Sequence, residues 1–417
     1  MKSSFQTPFY DPLTPEEEVL SLIREWFEKE KKGDITARKC ASQEIKKYLV
    51  KTADGTYTLH SNKHINSSET MHTSLGAYSE SKEKFVNPAG LQGKKKLSIL
   101  DICSGLGFNS AAALETIGDS KQNEEVEDIA IDIVEISPET LAASLIIPSP
   151  SQSHGIIKKA IENFLISHGY LKFPHEDEEI PAHVHLSVYC EDARKMVLEI
   201  PAQQKYDALF LDPFSPAKSP ELYSQEFLAK LGSLLKRHGV ILTYTSAAPV
   251  RYALIDAGLE VGEGPAMGRS GGTIASYDLN KISKTLSQKD ERMIALSDAG
   301  IPYRDPELTD SGNVISQRRQ EERIALRDKY KMASTVKTPV YLVSDLDDRR
   351  IKRRVFKHLE KFNINDLNSL KSRFLVCPQF SNCICCCGQE GLSTSRESIK
   401  EMEKRLKIVA DGNFKDE

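Results

Sequence analysis

"LSILDICSGLGFNSAAALE" spans Leu97–Glu115. An apolar run opens it, glycines follow at 105 and 107, and an alanine-rich run closes it. That order predicts a strand, a tight turn and the start of a helix. Glycines in such a turn let the backbone approach a ligand, and the helix behind them presents N–H groups with no intrahelical partner. A lone G-x-G also serves packing in many α/β turns, so the turn alone does not decide the matter. The layout recurs downstream. In "IDIVEIS" Glu135 ends a second apolar run, and in "VYCEDARKM" Asp192 follows a third. Ligands of open α/β sheets sit at strand ends, where Glu135 can hold both hydroxyls of a ribose and Asp192 can reach an adenine amine. Asp101, Ser104, Gly105, Gly107, Asn109 and Ala193 complete the candidate cofactor set. Each acid alone could be a helix cap; three sites at three successive strand ends are harder to explain that way. The chain lacks a P-loop lysine and Walker spacing. Acid-rich turns without a cluster of phosphate-binding groups suit a cofactor carrying adenosine but no phosphate, and S-adenosylmethionine fits best.

Outward from this stretch, strand-like runs at 97–102, 129–134, 183–189, 206–212 and 239–244 alternate with helical segments. This alternation predicts an α/β domain with a mostly parallel, Rossmann-like sheet. The Gly-rich segment 258–277 is expected to add a closing antiparallel pair at the edge. Before the sheet, "TPEEEVLSLIREWFEKEKKG" predicts a helix with Thr14 as cap and Pro15 at its first position. "YLVKTADGTYTLHS" predicts a hairpin around Asp54-Gly55. The expected division is 1–90 for the N-terminal helix, hairpin and a segment covering the active site; 91–280 for the Rossmann-like domain; 281–336 for a charged connecting region; and 337–417 for a basic, Cys-containing C-terminal extension with a strand-like "TPVYLVSDL".

The chain has 417 residues, 39% hydrophobic and 28% charged, which excludes wholesale disorder. No run reaches the roughly 18 apolar residues of a membrane span, and no apolar signal core opens the chain, so a cytoplasmic protein is expected. A net charge of -4 conceals a local excess: Gln317 to Phe374 holds 16 Lys+Arg against 8 Asp+Glu, densest in "DRRIKRRVFKHLEK". Such a run is either a solvated helical face or a surface for a polyanion. Five cysteines crowd between Cys377 and Cys387. Their spacing is not that of paired C-x-x-C units, so no metal is expected; if the loop folds back, Cys377, Cys383, Cys385 and Cys386 are the ligand set to test.

"LFLDPFSPAKSPELYSQEF" runs from Leu209 to Phe227. A buried strand ending on Asp212 is costly unless the carboxylate binds a polar partner, and the prolines at 213, 216 and 220 restrict its direction. This loop and "TSAAPVRYALIDAGL" (Thr245 to Leu259) resemble the methyltransferase domain of the tRNA wobble-uridine modification enzyme MnmC. That family carries D-G-F-A-P-A-K-N-P-x-x-W/Y and then T-S-A-x-x-V-R-x-x-L-x-x-A-G-F. Its glycine turn ends G-x-G-x-N, matched by Gly105, Gly107 and Asn109, and its late G-F-G-R-K is matched at Gly268 and Arg269. The likeness covers roughly residues 48–277. Cys103 and Pro213 stand where the family usually has glycine. Nothing in the chain reads as the family's flavin-dependent oxidase domain, so FAD is not expected and the likeness is to a stand-alone methyltransferase branch.

The resemblance implies a class I S-adenosylmethionine-dependent methyltransferase that methylates the amine of 5-aminomethyl(-2-thio)uridine at the wobble position of tRNA. Such an amine attacks directly, so the protein supplies alignment and a group favouring the neutral amine; Asp212 is the expected catalytic residue. Methylation at uridine carbon-5 would need a cysteine nucleophile, and Cys103 sits in the cofactor turn, where packing suits it better. Glu69 and His72, in "SSETMHTSLGA", are expected to line the pocket. Phe214 and Tyr223 belong to the rigid loop, where Tyr223 stacks on uracil or covers the cofactor. Lys218 and Arg269 can contact phosphate, and Ser246 can shape the pocket floor. The rival reading is a polyamine aminopropyltransferase, whose loop usually reads D-S-S-D-P; Ser215 and Lys218 remove an acid and add a repelling cation. A non-catalytic RNA-binding protein is the third reading, disfavoured because Glu135, Asp192 and Asp212 are all present.

Overall fold

The computed structural model of the chain describes residues 14–61, 70–118, 126–267, 271–333, 346–388 and 391–414. Two short strands, β1 (Val50–Lys51) and β2 (Tyr57–Thr58), pair antiparallel as the expected hairpin, with Val50 opposite Thr58. Seven further strands form one sheet: β3 (Lys96–Ile102), β4 (Asp128–Val134), β5 (Val184–Tyr189), β6 (Tyr206–Leu211), β7 (Leu235–Thr243), β8 (Glu260–Glu263) and β9 (Thr273–Ser276). Their order is β5-β4-β3-β6-β7-β9-β8. The pairs β3/β4, β4/β5, β3/β6 and β6/β7 are all parallel. The order reverses between β3 and β6, which makes their C-terminal ends the switch point where such sheets bind ligands.

The central strands are apolar because both faces are covered. Every residue of β6 is buried, and Ile99, Leu100 and Ile102 of β3 have no exposed surface. Strand β7 starts at Leu235, four residues before the expected 239. A register shift between Tyr206 and Ala208 accommodates the polar Lys236, Arg237 and His238. Gly239 is required there: a Cβ would stand 2.7 Å from the Tyr206 carbonyl oxygen.

By backbone contacts the chain divides into two compact units. One comprises 1–222, 230–245 and 264–274; the other comprises 223–229, 246–263 and 275–417. In the first, the helix Glu17–Lys31 buries Val19, Leu20, Ile23, Trp26, Phe27 and Glu30, a single stripe at helical spacing. Each large apolar side chain so buried stabilises by about 1.5–3 kcal/mol. Glu30 is tolerated inside because Trp26 Nε1 donates to it at 2.6 Å and the Lys172 N–H at 2.9 Å. The helix begins at Glu17, two residues later than its Pro15 signal, because Pro15 instead bridges to Ser61.

In the second unit, the stretch expected as a charged connection holds the helices Gln288–Leu296 and Gly312–Tyr330. Its charges are used internally: buried Asp298 accepts from Arg323 at 3.3 Å and from Arg327 at 3.1 Å, while Arg319 donates to the Ile301 carbonyl. Farther along lie the helices Arg349–Leu359, Leu370–Val376 and Ser395–Ala410, the last opened by a reciprocal capping box between Thr394 and Glu397. The strand-like run from 338 falls almost wholly outside the described residues. Among those described, no helix is long and apolar enough to cross a membrane.

Candidate active site

The glycine turn is built as its sequence requires. Cys103, Gly105 and Gly107 all adopt left-handed backbone, with φ of 61, 55 and 81°. Only glycine takes that region without steric cost, so Cys103 holds a backbone conformation in which a glycine would be unstrained. Ser104 N–H donates to the Val134 carbonyl at 3.1 Å and Gly107 N–H to the Ser104 carbonyl at 2.8 Å, so the turn is tied to β4 before the helix Phe108–Gly118 begins.

Three buried polar atoms there find no partner among the described residues: Asp101 Oδ1, Ser104 Oγ and Asn109 Oδ1. Native interiors leave few such atoms, and their convergence at one strand end marks a place for a polar ligand. Burial pushes Asp101 up to about 6, held from going further by its bonds with Ser110. At the end of β4, Glu135 accepts from the N–H groups of Gly105, Ile136 and Ser137 at 3.2, 2.9 and 3.1 Å. Burial nevertheless pushes Glu135 up to about 7, against those donors and with Asp101 adding repulsion. One of its oxygens, Oε2, receives only the Gly105 N–H among these bonds, so a hydroxyl donor can still be accommodated.

Asp192 is arranged differently. It caps the helix Ala193–Glu199 through the Arg194 N–H at 2.9 Å and also pairs with the Arg194 guanidinium at 2.9 Å. An adenine amine would have to share this carboxylate. Ala193, the first residue of that helix, is buried.

Asp212 follows β6 directly. Its N–H donates to the Ile102 carbonyl at 3.2 Å, and Asn109 Nδ2 donates to its Oδ2 at 3.0 Å. The asparagine of the glycine turn therefore aims the carboxylate of the neighbouring strand, and Oδ1 remains for a ligand. Burial raises the Asp212 pKa well above the carboxylate range; Glu80 and Asp101 push the same way, while Asn109 and Lys84 oppose them.

Glu80 and Lys84 form a buried pair at 2.6 Å that sequence reading missed. An acid and a lysine at i and i+4 look like any solvated helix face. Here the helix Ala77–Ser81 passes into a π-helical turn, Lys82–Val86, and both charges face inward. Burial raises Glu80, yet the bonds from Lys84 and from the Thr73 N–H outweigh it and hold its pKa below the ordinary value. Lys84 also stands 5.9 Å from the centre of the Tyr244 ring. A π-turn in so short a helix was the legible trace only after folding, since no residue type specifies it.

Met71 lies over the glycine turn. Met71 N–H pairs with the Leu59 carbonyl at 3.0 Å, and the Met71 methyl would stand 2.9 Å from a Cβ at Gly105. His72 bonds Thr58 Oγ1 at 3.1 Å and meets the Phe108 ring edge-on at 5.4 Å; burial keeps its pKa below the ordinary value. Asp54 in the hairpin turn accepts the Thr56 and Ser79 N–H groups, and Gly76 passes so close that a Cβ would strike its carboxylate.

Of the expected site residues, Asp101, Ser104, Gly105, Gly107, Asn109, Glu135 and Asp212 are brought together, with His72 packed on Phe108. Phe214 and Lys218 are half-buried in the loop after Asp212, and Ser246 is half-buried after β7. Tyr223 is fully buried. Glu69 and Arg269 lie outside the described residues.

The sequence model of the S-adenosyl-L-methionine-dependent methyltransferases matches residues 151–278. Over 362 residues the chain is 32% identical to uncharacterized protein MJ0670 of Methanocaldococcus jannaschii, covering 86% of this chain and 94% of that protein. Across 63 residues it is 41% identical to the tRNA 5-methylaminomethyl-2-thiouridine biosynthesis bifunctional protein MnmC of Ralstonia nicotianae, which is 15% of this chain and 10% of that one. The crystal structure of MNMC2 from Aquifex aeolicus aligns with a TM-score of 0.51 at 26% identity, over 75% of this chain and 100% of that one. The chain thus belongs to the methyltransferases that take S-adenosyl-L-methionine as cofactor, and within them it resembles the methyltransferase domain of MnmC.

Proposed function

We propose that the chain methylates the primary amine of 5-aminomethyl(-2-thio)uridine at the wobble position of tRNA. The observation that carries this reading is Asp212: a desolvated carboxylate with a raised pKa, aimed by Asn109 from the switch point of the sheet. Bound at the strand ends, S-adenosylmethionine supplies an electrophilic methyl group. Asp101, Ser104, Gly105, Gly107, Asn109, Glu135, Asp192 and Ala193 are the residues to hold it, and the unpartnered Ser104 Oγ and Asn109 Oδ1 fit its polar groups.

The substrate amine is an ammonium in neutral solution and must lose a proton before its lone pair can attack. A carboxylate with a raised pKa is the better base for that step, and Asp212 Oδ1 is the atom to take the proton and orient the amine. Cys103 offers no competing covalent route: burial, with the carboxylates of Glu135, Asp212, Glu221 and Asp101 nearby, holds its thiol far above the range in which a thiolate forms. A polyanionic substrate matches the helix Arg349–Leu359, where Arg349, Arg350, Lys352, Arg353, Arg354 and Lys357 are exposed while Val355, His358 and Leu359 are buried.

The test is incubation with methyl-labelled S-adenosylmethionine and tRNA lacking the final wobble methylation, followed by nucleoside analysis. Label in the wobble nucleoside is expected. Label entering no nucleoside, or transfer of an aminopropyl group from the decarboxylated cofactor to a polyamine, would overturn the reading.

Cofactor binding carries its own signature. Because burial pushes Glu135 up to about 7 and its ionised form is the better acceptor for ribose hydroxyls, affinity should rise with pH and level off above that value. Calorimetric titration should show up to about a tenfold gain per pH unit below the midpoint. Glu135→Gln should weaken binding and flatten this limb; a variant that keeps the wild-type profile would remove Glu135 from the site.

A further inference from the structure

The cysteine-rich run folds into a compact thiol cluster in the second unit. The sulfurs of Cys377, Cys383, Cys385 and Cys387 all lie within 4.8 Å of one another, with 3.9 Å between Cys383 and Cys385 and 3.5 Å between Cys383 and Cys387. None of the four is in a disulfide. Cys386, expected in the set, is replaced by Cys387. It sits at φ 62° and is exposed, and that left-handed residue turns the chain so that positions 385 and 387 both reach the cluster. Cys377 arrives from the 3-10 turn Cys377–Gln379 that ends the helix Leu370–Val376.

Donors surround these sulfurs. The Ile384 N–H points at Cys377 Sγ at 3.4 Å. Arg405, on the C-terminal helix and only 2% exposed, donates to Cys385 Sγ and Cys387 Sγ, each at 3.4 Å. The same guanidinium is braced by the Phe374 carbonyl at 2.9 Å and by Glu401 at 2.8 Å. A thiol is a poor acceptor, so a buried guanidinium turned onto two of them is explained if they are thiolates. Four thiolates around one divalent ion keep an excess negative charge, and N–H groups directed at sulfur are what such ligand sets use to disperse it.

We propose that Cys377, Cys383, Cys385 and Cys387 bind a single zinc ion in tetrahedral geometry. Zinc–sulfur bonds of about 2.3 Å place ligand sulfurs about 3.8 Å apart, close to the two separations above. A polynuclear iron–sulfur cluster distributes its thiolates over several metal atoms and holds them farther apart than this group allows. Cys377 and Cys385 are buried, Cys383 is half-buried and Cys387 is exposed, which leaves one side for metal entry. The ion would fasten the turn 377–388 to the helix Ser395–Ala410 through Arg405, a structural role separate from methyl transfer.

Elemental analysis of the full-length chain, purified under reducing conditions and without chelators, is expected to find about one zinc per chain. Cys383→Ser combined with Cys387→Ser should lower this more than tenfold, and Cys386→Ser should leave it unchanged. Should the double variant fail to fold, cobalt titration of the wild-type chain gives the answer: one equivalent should develop the ligand-field and charge-transfer bands of a tetrahedral tetrathiolate. Chain without stoichiometric zinc and without those bands overturns the proposal. So does iron with acid-labile sulfide, a disulfide among the four, or loss of metal in Cys386→Ser.

Discussion

Asp212→Ala should lower methyl transfer by about 10²–10⁴-fold, the range of a positioned acid or base, while S-adenosylmethionine still binds. Asp212→Asn is the sharper variant, because it keeps the shape and the Asn109 contact but cannot accept a proton. In the wild type, kcat/KM should climb with pH along a limb above the ordinary carboxylate range, since burial keeps Asp212 protonated at lower pH. The asparagine variant should lose that limb. Stability should move the opposite way. A carboxyl with a raised folded-state pKa contributes stability that is present below its unfolded pKa and lost as pH rises through the folded one. Well above the ordinary carboxylate range the free wild-type chain therefore bears the cost of a carboxyl whose ionised form is disfavoured by burial, and Asp212→Asn should be the more stable protein there. The advantage should vanish at about pH 4, where both side chains are neutral. An asparagine variant of undiminished turnover would remove Asp212 from the chemistry.

Lys84→Met should be the most damaging single change outside the reaction itself. It leaves Glu80 buried, with only the Thr73 N–H to satisfy it, and broken buried pairs cost about 3–5 kcal/mol. Denaturant unfolding of the single variant, beside Glu80→Gln with Lys84→Met, measures this directly. The double variant should recover much of the loss, because Gln at position 80 removes the orphaned charge and its amide oxygen can still accept from the Thr73 N–H. Lys84 also lowers the Asp212 pKa, so among molecules that remain folded the acid limb of kcat/KM should shift to higher pH. Equal stability of single and double variants would show that the pair is not coupled.

The strand–turn–helix at Leu97–Glu115 and the acids ending β4 and β6 were legible because a buried parallel strand is continuously apolar, so a carboxylate at its end stands out. Charge concealed other parts. The helix Gly312–Tyr330 and the pair Glu80–Lys84 are made of residues that normally face water, and only folding shows which charges are turned inward. The thiol cluster shows a subtler limit. Choosing Cys387 over Cys386 depends on one left-handed backbone angle, which leaves no mark in composition or spacing. Tyr223 shows a related limit: an aromatic residue in a loop reads the same whether its ring is exposed or, as here, fully buried.

Asp101, Glu135 and Asp212 meet at neighbouring strand ends, each with its proton affinity raised by burial, and Asp101 adds repulsion to the other two. Ionising all three is costly unless a positive charge arrives among them. The strand ends should therefore act as a charge discriminator. They should grip a sulfonium more firmly than a neutral thioether of the same shape, so that removing the methyl group also loosens the hold on what remains.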